Sequence, residues 1–244
     1  MKKILAFCII AVLLLAALSQ VALPRIASGA LERELKTSLK TDTVSVRSDT
    51  FPAFMMLFGR IGAIDAQVER GMLGNLCAAR LTLHGENVKM PSDVLIRNNF
   101  AVTDADVLTL EGTVTAEDLA DFLNREVKQI EDTKVVITKD LVLADATTKF
   151  MGRSADVHIE GVFFVNDNKI ALRLTNVRVK KIFFGNDLTA NFFDKIDIYD
   201  FSKLNMPVEL DSAEHRDGFV VLKASRHPGK VYGDGRKPGK GGKT

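Results

Sequence analysis

The chain has 244 residues, 46% of them hydrophobic, and a mean hydropathy of +0.07; that is ample material for a core and excludes a disordered protein. Of 33 Lys/Arg, three precede Ile26 and six follow Ser225, while of 31 Asp/Glu only Asp234 lies in either end, so the body carries 24 against 30 and is acidic between two basic ends. An acidic body with no basic face interleaved with aromatics excludes nucleic-acid binding.

The N-terminus opens with Lys2 and Lys3 and then runs from Ile4 to Leu23 with only Ser19 and Gln20 breaking the apolar stretch. At roughly 20 residues such a run is long for the core of a signal peptide and just long enough to span a bilayer. Residues 1–25 therefore read either as a cleaved signal, with small residues at Ala27 and Gly29 suiting a cleavage site, or as a retained membrane anchor. The basic residues precede the run, so both readings keep the N-terminus in the cytoplasm and export the body to the envelope or periplasmic side. Cys8 follows Phe7 rather than a small residue, which disfavours lipid attachment, and Cys77 is then the sole exported cysteine, unable to form an intramolecular disulfide.

Next, Ile26, Leu31, Leu35 and Leu39 recur at helical intervals, with Ser28 as N-cap, which predicts a short amphipathic helix. A strand at "VSVRS" leads to "FPAFMMLFGRIG", residues 51–62, where seven large apolar side chains accompany one charge, Arg60. Read as a helix, this segment has too many successive apolar positions for one face, so part of it should meet a groove, a membrane or another subunit. From Ile64 the period becomes two: Ile64, Ala66 and Val68 alternate with polar neighbours, as do Leu81 and Leu83 after the turn at "RGMLGN". Strand signals recur through "AVTDADVLTLEGTV", "KVVITKDLVLA", "ADVHIEGVFFVN", "KIALRLTNVRVKK", "MPVEL" and "GFVVLKA", joined by hairpin-like "VNDN" and "HRDG". Two helices interrupt them. One follows Thr115, with Asp118 three residues on as in a capping box, and aligns Leu119, Phe122, Leu123, Val127 and Ile130; the other is the short "DLTANFFDKI", residues 187–196. The tail, residues 226–244, is Gly, Pro and Lys with almost nothing to bury, and reads as a flexible basic segment suited to solvation or to anionic head groups.

Catalytic residues are scarce. The histidines, 84, 158, 215 and 227, have no metal-ligand spacing, and there is no phosphate-cradling glycine loop or nucleophile turn. Neither a metal nor a cofactor is expected. Close carboxylates such as Asp104 and Asp106 are more often solvent-side charges than a hydrolytic pair. Apolar surface, by contrast, is abundant: 15 Phe, two Tyr and no Trp, with Phe pairs at 163/164, 183/184 and 192/193. Adjacent strand residues point to opposite faces, so each pair within a strand puts a ring on both sides of the sheet and both sides need covering. A lipid is one such cover. Holding about 30 methylenes in water costs on the order of 24 kcal/mol at roughly 0.8 kcal/mol each, so a carrier needs a roofed apolar groove with polar groups only at its mouth.

The order of these signals resembles the LmeA-like phospholipid-binding family of bacterial envelope proteins. The likeness rests on Phe51, Pro52, Phe54, Leu57, Gly59, Ile61 and Ile64, on "VERGMLGN", on the threonine-capped "TAEDLADFL", and on the closing "MPVELDSAEHRDGFVVLKAS"; it spans about residues 28–225. In this sequence Phe51 precedes Pro52, whereas the family more often has Pro before Phe. The resemblance implies an α+β domain related to tubular (TULIP-like) lipid-binding proteins: a long curved, mostly antiparallel sheet wrapped around a few amphipathic helices, with an apolar groove for phospholipid and no catalytic set. On this reading Phe51, Phe54, Met55, Phe58, Phe122, Phe192 and Phe193 are the expected lipid-site residues, with Lys180 and Lys181 as weak head-group contacts. The expected partners are phospholipid and a membrane surface. The alternative is an envelope scaffold that binds another protein through exposed apolar surface.

Overall fold

The computed structural model describes residues 2–91, 101–128, 130–150, 153–180 and 195–228, and side chains from Leu18 onward apart from those of residues 149, 150, 153 and 180. Among the described residues eleven strands form two sheets, and every recorded pairing is antiparallel. The first sheet contains β1 (Val44–Asp49), β2 (Arg60–Leu73), β3 (Leu76–Lys89), β4 (Val107–Thr115), β10 (Glu209–Arg216) and β11 (Phe219–Ser225), in the order β1-β2-β3-β4-β11-β10. The second runs β5 (Ile130–Ile137), β6 (Val142–Phe150), β7 (Arg153–Asn166), β8 (Lys169–Lys180) and β9 (Lys195–Asp200) in sequence order. The architecture is α+β and TULIP-like, with strongly curled antiparallel sheet and an N-terminal helix, in agreement with the sequence-based expectation.

Alternation builds the long hairpin β2–β3. Ile64, Ala66 and Val68 turn inward while Asp65, Gln67 and Glu69 turn out, and Leu81 and Leu83 continue the inner face across the ladder. One apolar cluster extends through both sheets, from Ile64 and Leu76 to Ile170 and Leu172. Helix α2 (Ala116–Glu126) begins with the expected capping box: the Asp118 amide donates to Thr115 Oγ1 at 3.2 Å, and the Thr115 amide donates to Asp118 Oδ2 at 3.2 Å. It lies on β5 and β3 with Leu119, Phe122 and Leu123 fully buried. The predicted helical period continued through Val127 and Ile130, but the helix ends at Glu126 and Ile130 opens β5. Ile130 is buried in the core all the same, so an inward-facing strand residue extended the apolar pattern past the true end of the helix.

Helix α1 (Lys2–Ser38) is one continuous element where two segments were expected. Pro24 lies inside it, and Ser28 is an interior residue, not an N-cap. Tertiary bonds hold the helix on both sides of the proline. Gln20 donates to the Thr50 carbonyl at 3.0 Å and accepts from the Ala53 amide at 2.8 Å, while Ser28 pairs with the Ser48 hydroxyl at 2.9 Å. Glu32 then accepts from the Val46 amide, so the helix runs along β1 with Leu31 and Leu35 in the core. Among the residues whose side chains are described, from Leu18 onward, no helix is long and apolar enough to cross a membrane. The second predicted helix, residues 187–196, lies mostly outside the described residues; its last two positions, Lys195 and Ile196, belong to β9.

The two sheets meet where β10 crosses β7. His215 of β10 accepts from the Phe163 amide through Nε2 at 3.2 Å, and the two rings lie 5.5 Å apart. That role requires an unprotonated Nε2. Burial holds the His215 pKa below its ordinary value, with Asp140 pulling the other way. A depressed folded-state pKa means that the stabilisation is complete above the unfolded value of about 6.5 and is lost as pH falls from there toward the folded pKa. In thermal melts taken from neutral to mildly acidic pH, wild type should lose more stability than His215→Gln, which keeps an acceptor that does not titrate. Parallel curves would show that the junction carries no such linkage.

Candidate functional site: an apolar groove beneath helix α1

Between α1 and the inner face of the first sheet lies a groove of about 240 Å³. Its walls are built by elements that meet only in the folded chain. Leu35 comes from α1 and Leu39 from the turn that follows it, Val68 and Met72 from β2, Leu81 and Leu83 from β3, and Leu110 from β4. Tyr199, Leu204 and Met206 close it from the far sheet and the short 3-10 turn Phe201–Lys203. The polar lining is confined to Ser38, Lys203 and Asn205 with the backbone of Gly74, giving an oily trough with a polar rim.

Two glycines keep this space open. Gly71 faces Leu81, Val68 and Leu39, and a Cβ there would come within 3.0 Å of the first two side chains. Gly74, at φ 63° in the β2–β3 turn, is crossed by the Tyr199 ring, which a Cβ would approach to 3.1 Å. Tyr199 packs edge-on against Phe201 at 5.3 Å, and burial, then the neighbouring Asp200 charge, raises its pKa. Burial pushes the Asp200 carboxyl up, but hydrogen bonds from Ser202 and the charges of Lys169 and Lys203 outweigh it and hold the group below the ordinary range. Lys203 is exposed at the groove mouth.

The opposite face of the same strands carries a polar cleft of about 440 Å³ lined by Asp65, Thr82, His84, Glu111, Asp211 and Lys223 among others. His84 Nδ1 lies 2.7 Å from Asp65, and its Nε2 lies 3.6 Å from Glu86. The Asp65 hydrogen bond leads in raising its pKa. No group of three or more His, Cys, Asp or Glu among the described residues is placed to hold a metal. The acidic pair Asp104 and Asp106, the nearest thing to a hydrolytic pair, is tied up in the fold. Asp104 binds Lys89 at 2.8 Å and Arg226 at 2.7 Å, Lys89 leads in lowering its pKa, and Asp106 accepts from Asn87 at 2.7 Å. A carboxylate held ionised between two cations is a poor general acid.

The expected lipid-site residues are not together. Phe122 sits in the α2 core at 1% exposure. Phe51, Phe54, Met55 and Phe58 belong to or adjoin the 3-10 turn Ala53–Phe58, which replaces the predicted helix and buries only Ala53 and Met56. None of these five lines the groove, and the three phenylalanines of the turn region are exposed. Phe192, Phe193 and Lys181 lie outside the described residues; Lys180 ends β8 in register with Asp156, its side chain likewise outside. The groove-lining residues that sequence reasoning missed carry a signal all the same, since Val68, Leu81 and Leu83 are the inward positions of the alternating strands.

Neither a search of curated proteins nor a search of solved structures returned a significant match. A family model matches residues 18–225, from the exposed turn of α1 before Pro24 to the last residue of β11. By that match the chain belongs to the LmeA-like phospholipid-binding family.

Proposed function

We propose that this protein binds phospholipid without catalysis, in the bacterial cell envelope, by lodging acyl chain in the groove beneath α1 and leaving the head group at a membrane-facing mouth. The observation that carries the reading is the segregated lining: aliphatic walls with one Tyr, and Ser38, Lys203 and Asn205 at the edge. Each methylene removed from water contributes about 0.8 kcal/mol, so even a partly enclosed tail supplies most of the affinity, and an ammonium at the rim suits a phosphate. The volume lies a little below the roughly 300–1,000 Å³ of sites that enclose a whole small ligand, which fits a tail segment better than a complete diacyl lipid. The family match supports phospholipid as the ligand class.

The N-terminal segment, with its basic start and apolar run, serves this reading as export signal or anchor. Solvent extraction of the purified protein followed by mass spectrometry should recover phospholipid, and delipidated protein should take up a fluorescent phospholipid analogue. Protein that carries no phospholipid and takes up no analogue would overturn the proposal.

A further inference from the structure

One polar group in the groove has no partner of its own. Among the described residues Tyr199 is the sole aromatic in the lining, and its ring is firmly placed. Strand β9 sets it opposite the buried Ile170 of β8, and the extra residue Ile198 makes a bulge immediately before it, a device that re-aims a side chain. The ring lies against Gly74, where a Cβ would come within 3.1 Å of it, and meets Phe201 edge-on. The segment that follows is anchored as well: the Phe201 amide donates to Asn168 O at 2.9 Å, and the Val102 amide donates to Asn205 O at 2.8 Å. Yet the Tyr199 hydroxyl makes no hydrogen bond among the described residues, and it is not one of the polar atoms sealed away from solvent.

Its place along the groove says what that hydroxyl can meet. The Met72 amide donates to Leu39 O at 2.8 Å, which sets the end of α1 beside the β2–β3 turn. Ser38, Gly74 and, four residues after Tyr199, Lys203 make this end the polar rim. Away from the turn the floor continues to Ala66, Leu83 and Leu110, which stand in one row across β2, β3 and β4 and present only apolar side chains. Tyr199, half-buried, stands at the border between the two. A phospholipid has the same order, with its phosphate outermost, its acyl chains innermost, and between them ester carbonyls that accept hydrogen bonds but donate none. A tyrosine at such a border gives its ring to the apolar wall and leaves its hydroxyl to be satisfied. When a tail displaces water from the trough the hydroxyl needs an acceptor, and the carbonyl at the head of that tail arrives with it. Burial, then the Asp200 charge, raises the Tyr199 pKa, so the phenol stays a donor at neutral pH.

We propose that the Tyr199 hydroxyl donates a hydrogen bond to an acyl-ester carbonyl of the bound lipid, so that the groove recognises the ester linkage and holds it at a fixed depth, with Lys203 left for the phosphate. The bond makes ester-linked phospholipid the preferred class over ether-linked lipid with the same chains and head group, because the ether has no carbonyl oxygen to accept. The inference rests on the groove as the lipid site and adds the chemical group that is recognised there.

The test takes the full chain loaded with a fluorescent phospholipid analogue and displaces it with dioleoyl phosphatidylglycerol or, separately, with the diether counterpart of the same chain length. It compares wild type with Tyr199→Phe, which keeps the ring on Gly74. Wild type should prefer the ester by roughly 2- to 13-fold, the range of one neutral hydrogen bond, and Tyr199→Phe should lose that preference by weakening on the ester alone. Comparing the ester-to-ether ratio between the two proteins cancels any difference in how readily the two lipids leave their own vesicles. The same ratio in both proteins would overturn the proposal. So would a Phe variant that weakens on both lipids alike, which would move the hydroxyl to the head group or reduce it to packing. These failures leave the groove reading standing, since the protein still takes up lipid; a wild type that takes up no phospholipid would remove that reading and this inference with it.

Discussion

Replacing Phe122 by alanine should cost about 3–5 kcal/mol of folding stability, a large share of the roughly 5–15 kcal/mol that holds a domain together. Among the described residues Phe122 is the largest of the fully buried side chains, and it sits with Leu119 and Leu123 on the face of α2 that packs against β5 and β3. Its removal leaves a cavity between helix and sheet where both walls are fixed by hydrogen bonds, α2 by its capping box and the β5 end by the Thr133 amide donating to Asn124 Oδ1 at 3.0 Å. Little collapse is available, which places the cost towards the upper part of that range. Urea denaturation should show the midpoint falling with an unchanged slope. Lipid uptake per folded molecule should stay at the wild-type level, because the ring does not line the groove. A variant of wild-type stability with lost uptake would reverse the assignment and return Phe122 to the lipid site.

This residue also shows what the sequence discloses and what it withholds. Periodicity reports that a side chain is turned away from water; it does not report what it is turned towards. Phe122 was legible as the inner face of a capped helix, and Thr115 and Asp118 marked that helix start to the residue. Strands β2 and β3 were legible for a similar reason: a period of two over Ile64, Ala66, Val68, Leu81 and Leu83 leaves one consistent inner face. The groove was not, because it exists only where α1, the β2–β3 turn and the segment after β9 come together, and Tyr199 reaches Gly74 from well over a hundred positions away in sequence. The stretch from Phe51 to Phe58 was legible only in part. Its density of apolar groups signalled a contact surface, but density alone does not distinguish the inside of a cavity from the outside of the molecule. The positive-φ cap at Gly59, which is local, and the clamp from Gln20, which is tertiary, hold the turn in which those rings stay exposed. The expected break before Ser28 is absent for a tertiary reason too: contacts to Ser48, Thr50 and Ala53 carry α1 on as one helix past Pro24.

Filling the groove should weaken lipid uptake sharply while the fold survives. Leu39, near the end of α1, is the position of choice: it is partly exposed, it lines the trough, and it packs against Val68 and Leu81 from the open side. Leu39→Trp adds an indole where the space is and where no helical hydrogen bond is disturbed, and the ring can keep its N–H at the wet rim beside Ser38. The tail methylenes it displaces each contribute about 0.8 kcal/mol, so losing three or four of them removes about 2.4–3.2 kcal/mol, a weakening of roughly 50- to 200-fold. Titration with a fluorescent phospholipid should show that loss. The melting temperature should stay near that of wild type, since an aromatic side chain filling an existing hollow restores contacts and does not crowd a packed site. The alternative arrangements predict other patterns. If lipid were held by the exposed rings at Phe51, Phe54 and Phe58, Leu39→Trp would leave uptake untouched and those rings would govern it. If the groove were merely a packing fault in a scaffold protein, wild type would take up no phospholipid and the substitution would have no uptake to lose. Uptake and melting temperature measured together on this one variant therefore separate a site that is hollow for a ligand from one that is hollow by accident.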